Sequence, residues 1–132
     1  MVNIPENVLA LIKEPTTTKV LVTASKDGKP HAIVAGTIGA PSPSVLSIGE
    51  VLFKVSGKNI KENPKASFLF TSKLEAYEVE VVFKERVDSG PALDATNEAL
   101  KAIHLHANAL WNFDVKAVYD QGASPKAGTK IA

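Results

Sequence analysis

Lysines, a hydroxyl and an amide crowd one short stretch, Gly49 to Pro64, reading GEVLFKVSGKNIKENP, with Lys65 just beyond it. Lys54, Lys58 and Lys61 supply ammonium charge, and Ser56, Gly57 and Asn59 add a hydroxyl, an amide and free backbone N–H groups of the kind a helix start presents to an anion. Phosphate is the ligand this chemistry suits. On spacing alone the stretch is equally a solvated helix between two strands, its lysines serving only to keep the surface wet.

The other polar residues offer less. On a helix, His104 and His106 would point roughly 200° apart, so they could not ligate one metal from the same face. His31 stands beside the Asp27-Gly28 turn with no partner at metal spacing, and no metal is expected. Glu78 and Glu80 alternate along a strand with no serine or histidine at triad spacing and no nucleophile elbow, so no catalytic side chain is assigned. Cysteine is absent, which excludes disulfides, thiol catalysis and thiolate zinc sites.

The elements that must position these groups follow from pattern. Glu6 follows Pro5, and Val8, Leu9, Leu11 and Ile12 form an apolar stripe ending before Pro15, which is a short leading helix. Lys19 to Ala24, the Ser25-Lys26-Asp27-Gly28 turn and Pro30 to Ile38 make a β-hairpin. Gly39 to Ser44 reads as a loop, Val45 to Ile48 as a strand, and the lysine-bearing helix comes next. Lys65 to Thr71 and Glu75 to Val87 form a second hairpin turning near Ser72-Lys73, with Tyr77, Val79, Val81 and Phe83 on one face. Ser89-Gly90-Pro91 opens a single long helix reaching Leu110, with Ser89 as its cap. Trp111 to Tyr119 is the last strand, its alternation interrupted by Val118, and Gln121 to Ala132 is coil.

Six strands joined mostly by hairpin-length links, with one long helix before the last, predict a mainly β (α+β) fold, a six-stranded antiparallel barrel with flanking helices. At 132 residues, 45% hydrophobic and 22% charged, residues 1–132 form one domain. Fifteen basic against fourteen acidic residues leave a net charge near +1, without the basic field of a nucleic-acid binder. No apolar run approaches the ~20 residues that span a bilayer, and the start lacks signal-peptide character, so a soluble, cytoplasmic protein without a membrane partner is expected. Neither a dinucleotide-binding glycine turn nor a P-loop is present.

Taken in order, the DGKPH turn (Asp27 to His31), KNIKENPKASFLF (Lys58 to Phe70) and VYDQGASPKAGTKI (Val118 to Ile131) resemble the FMN-binding split-barrel family related to pyridoxamine 5′-phosphate oxidase, and within it the small stand-alone members. The resemblance covers nearly the whole chain. It implies a split barrel that forms a homodimer with FMN in the grooves between subunits, and a phosphate held by a lysine and hydroxyl after the third strand. Ser56 fits the hydroxyl position, and Asn59-Ile60 and Asn63-Pro64 fit the family's Asn-(Ile/Leu) and Asn-Pro positions beyond it. Val55 stands where relatives often carry lysine, so the phosphate cation is assigned to Lys54, with Lys58 as its substitute. The resemblance also places Val34, Ala35, Gly36 and Thr37 against the flavin and brings Trp111 to the ring, although a lone tryptophan there also suits the core or a dimer interface.

The function so implied is that of an FMN-dependent oxidoreductase acting on a small substrate or redox partner, the cofactor carrying the chemistry while the protein binds and tunes it. True pyridoxamine-phosphate oxidase activity is not expected, since Arg86 is the sole arginine and the chain lacks the further Arg- and His-rich segment of such relatives. The alternatives are a non-catalytic FMN carrier or redox-sensing module, and a split barrel that binds haem or a deazaflavin.

Overall fold

Val8 and Ile12, one turn apart, are the buried positions of α1 (Glu6–Lys13) in a computed structural model that describes residues 1–132. Pro5 stands at its N-cap, and the chain turns extended at Glu14 ahead of Pro15. The hairpin β1 (Thr18–Ala24) and β2 (Pro30–Val34) follows, then β3 (Gly39–Ser42), β4 (Val45–Gly49) and α2 (Lys54–Glu62). The long antiparallel hairpin β5 (Lys65–Ser72) and β6 (Glu75–Val87) leads to α3 (Pro91–Leu100), a 3₁₀ turn at Lys101–Ile103, β7 (Leu110–Asp120) and β8 (Thr129–Lys130). No helix is long and apolar enough to cross a membrane.

All strand pairs are antiparallel, and the order is β2-β1-β5-β6-β7-β4-β3, with β8 paired to β7. The fold is therefore mainly β with three α-helices, as expected, but the sheet holds eight strands along a path that does not close. The six strands read from the sequence are its six longest. The two added ones come from segments read as loop and coil: Gly39–Ser42 pairs with β4, and Thr129–Lys130 pairs with Tyr119 and Asp120. Four and two residues are too few for alternation to mark them.

The interruption at Val118 is a β-bulge. Val115 pairs with Val81 and Ala117 with Glu80, so Lys116 is the extra residue, and beyond it Val118 turns fully inward. Phe68, Phe70, Phe113, Leu21, Leu46, Ile48 and Val79 fill the sheet's inner face, closed by Val8 and Ile12 of α1 and Ile60 of α2.

The single long helix is not observed. α3 stops at Leu100, with Gly90 at its N-cap in place of Ser89, and His104 adopts a left-handed conformation (φ 58°) that ends the 3₁₀ turn. His104 and His106 thus lie on an exposed non-helical loop. Tertiary contact outweighs local pattern here: Asn97 bonds both backbone groups of Ala107, drawing residues 104–109 back along α3.

Candidate functional site

α2 sorts its residues by helical phase. Lys54, Lys58 and Lys61, at i, i+4 and i+7, share one exposed face. Ser56, Asn59 and Ile60 fall on the buried face, where the Asn59 amide nitrogen donates to the Thr23 hydroxyl at 3.1 Å. Ser56 is 1% exposed, and its hydroxyl has no hydrogen-bond partner.

The lysine face borders a cleft of about 420 Å³ that Glu50, Phe53, Gly57, Asn108 and Trp111 complete. Trp111 forms its floor at 3% exposure, packed on Phe53 (centroids 4.9 Å apart) and Phe83 (5.0 Å). Gly57 lets α2 lie this close, because a Cβ there would stand 3.3 Å from Phe53 and 3.6 Å from Trp111.

One carboxylate fixes the inner wall. Glu50 Oε1 accepts the Trp111 indole N–H at 2.8 Å and Arg86 Nε–H at 2.8 Å, while Oε2 accepts from Arg86 Nη2 at 3.1 Å. The Arg86 guanidinium holds the Glu50 carboxyl below its ordinary range, against the opposing effect of burial and with help from the indole and from Lys61. Backbone bonds fasten this wall to the loop before β7: Glu50 N–H donates to Ala109 C=O at 2.8 Å and Asn108 N–H to Glu50 C=O at 3.4 Å.

Beside the cleft runs an apolar groove of about 760 Å³. Val34, Ala35, Gly36 and Thr37 form one side, α3 and its 3₁₀ turn contribute Leu100 and Ile103, and Leu105 comes from the following loop. None of the thirteen lining residues is ionisable. The Thr37 hydroxyl accepts the Gly49 N–H at 3.2 Å, tying this turn to the end of β4. A Cβ at Gly36 would meet nothing within 4 Å, so its side of the groove is open space. Leu52 lines both concavities; it is 89% exposed and held in the left-handed region (φ 52°).

Of the residues singled out from the sequence, the fold brings Lys54 and Lys58 together at the cleft and Val34, Ala35, Gly36 and Thr37 together at the adjoining groove. It does not bring Ser56 or Asn59 to either. The resemblance pairs Lys54 with the Ser56 hydroxyl, but in a helix the two lie roughly 200° apart. Trp111 sits beneath the cleft with its N–H already engaged. Sequence reasoning missed Glu50, Leu52 and Asn108 as lining residues; Glu50 and Asn108 meet only through backbone pairing between segments distant in the chain.

The sequence matches no family model and no curated protein. Solved structures do match. An FMN-binding protein from Syntrophomonas wolfei aligns with a TM-score of 0.80 at 13% identity, covering 90% of this chain and 86% of that one. A candidate pyridoxamine 5′-phosphate oxidase from Lactobacillus delbrueckii aligns at 0.71 and 19% identity, over 89% and 93%. The chain has their split-barrel fold. The haem storage protein HutZ of Vibrio cholerae aligns at 0.66 and 12% identity, over 92% and 97%. At such identities a shared split barrel says nothing of the ligand, so the cleft and the groove must decide it.

Proposed function

We propose that this split barrel is a cytoplasmic FMN-binding flavoprotein, a homodimer with FMN at the subunit interface, and an oxidoreductase serving a small substrate or redox partner. The observation that carries the reading is the meeting of a three-lysine cleft and an uncharged apolar groove at Leu52. An amphipathic ligand with a phosphate at one end and a flat ring at the other fits that pair of surfaces. Lys54, Lys58 and Lys61 would hold the phosphate, and Val34 to Thr37 would line the ring side. Bound there, FMN would supply hydride or electron transfer, and the chain's own residues would bind and orient it. An FMN carrier uses the same two surfaces; anaerobic reduction of bound FMN by NADH or NADPH distinguishes the enzyme from the carrier.

The test is a titration of the wild type and of Lys54→Ala, Lys58→Ala and Lys61→Ala with FMN and riboflavin. Removing one charge-assisted hydrogen bond should cost ~1.5 kcal/mol in FMN binding and leave riboflavin unchanged. A wild type that binds FMN no better than riboflavin sinks the phosphate assignment.

A second reading is favoured by His104 and His106, which flank the groove residue Leu105 on an exposed loop. Either could hold the iron of a haem bound in the groove. Added haemin giving a Soret shift that His104→Ala or His106→Ala abolishes, with no uptake of FMN, would replace the flavin reading by this one; a deazaflavin is tested by the same competition.

A further inference from the structure

We infer that Glu50 is a specificity-determining residue of the lysine cleft, restricting it to ligands that carry a single phosphoryl group and rejecting diphosphates. The inference rests on the proposed phosphate-binding role of the cleft and names what that cleft excludes.

The cleft's charge is graded with depth. Lys54, Lys58 and Lys61 stand exposed at the rim, whereas the Glu50 side chain, 21% exposed, stands beside the buried Trp111. Arg86, the chain's sole arginine, does not itself line the cleft but compensates the charge of Glu50. Glu50 engages it through both carboxylate oxygens, and Asp88 approaches it at 3.8 Å. Of these three charged groups only the Glu50 carboxylate lines the cleft. A monoester dianion needs only the rim. The second phosphoryl group of a diphosphate entering the cleft meets a fixed carboxylate that cannot swing aside, because Trp111 and Arg86 hold it by three hydrogen bonds. Like charges brought together in a partly desolvated site are a strong device for rejection.

Glu50→Gln tests this, because the amide can still accept the indole N–H while the one carboxylate charge lining the cleft is removed. Wild type, Glu50→Gln and Arg86→Met would be titrated with FMN and FAD, and with inorganic phosphate and pyrophosphate as ring-free probes. The expected result is a wild-type preference for FMN over FAD on the order of tenfold or more, largely erased in Glu50→Gln with riboflavin binding unmoved. Arg86→Met, which leaves the carboxylate uncompensated, should widen the preference, and it decides the matter should Glu50→Gln fail to fold. An unchanged FMN:FAD ratio in the folded variants overturns the inference while leaving the flavin reading intact. A wild type that ignores phosphate in every form overturns both.

Discussion

The carboxamide of Asn97 holds both backbone groups of Ala107: its oxygen accepts the Ala107 N–H at 2.7 Å, and its nitrogen donates to the Ala107 C=O at 3.0 Å. The loop so fixed carries Leu105 into the groove and Asn108 into the cleft. Asn97 itself lines neither, so it acts on the site by position alone. Asn97→Ala leaves two backbone groups of a fully buried residue without partners, a loss of about 2–4 kcal/mol by urea denaturation. Asn97→Asp keeps the acceptor and loses the donor, and it should fall between. In both, FMN affinity should decline more than phosphate affinity, because Leu105 is freed with the loop; equal declines would mean the clamp serves stability only.

Ser56 gives the opposite kind of test. Its hydroxyl is buried without a partner on the barrel side of α2, where it forfeits hydration for nothing. Ser56→Ala should therefore raise stability by roughly 1 kcal/mol and leave FMN affinity alone. A loss of FMN affinity on the order of tenfold or more, the value of about one charged hydrogen bond, would return the hydroxyl to the phosphate clamp that the family pattern assigns it.

That divergence marks what a sequence can carry. Apolar and β-branched runs located four of the six longest strands and alternation the other two, and Pro5, Pro15, Asp27-Gly28 and Pro64 bounded the elements between them, because these signals act over a few residues. The lysines of α2 were legible as cations, but which of their neighbours shared their face depended on where the helix begins, and one residue of phase moves a side chain by about 100°. Starting α2 at Lys54 separates Ser56 from the lysines it was paired with. The end of α3 was not legible at all, since the competing partner, Ala107, is a backbone that any residue would present. Glu50 fell outside the reading for a related reason: its partners Arg86 and Trp111 stand 36 and 61 positions away.

The Glu50 wall also sets a pH dependence. Its carboxyl lies below the ordinary value of 4.5 in the folded chain, mainly through Arg86, so the stability it lends is complete above that pH. Acid removes it as pH falls through the lowered folded value, where the bound carboxylate takes up its proton. Melting temperatures followed from about pH 7 to about pH 3 should fall more steeply for wild type than for Glu50→Gln. Parallel curves would show that the Arg86 pairing adds nothing to stability. High salt should narrow the difference, since Arg86 is more than a third exposed.

Leu52 joins the two halves of the site at a conformational cost. An L-residue in the left-handed region gives up roughly 1–2 kcal/mol unless its side chain is one that tolerates it, and an apolar side chain left 89% exposed gains little in return from the free protein. Strain of this kind persists where the surroundings impose it, and here Val51 packs against the small cluster of Leu93, Leu100, Ala107 and Leu110 while Phe53 lies in the main core. Leu52→Asn suits the backbone better and should raise stability by about 0.5–1 kcal/mol. It also removes the apolar surface at which groove and cleft meet, so FMN binding should weaken by about 1–2 kcal/mol, while phosphate binding at the lysines is retained. Calorimetric melting and a paired titration with FMN and phosphate measure both effects. A variant that is more stable yet binds FMN as well as wild type would show that the ligand does not bridge the two concavities, which is the relationship on which the flavin reading stands.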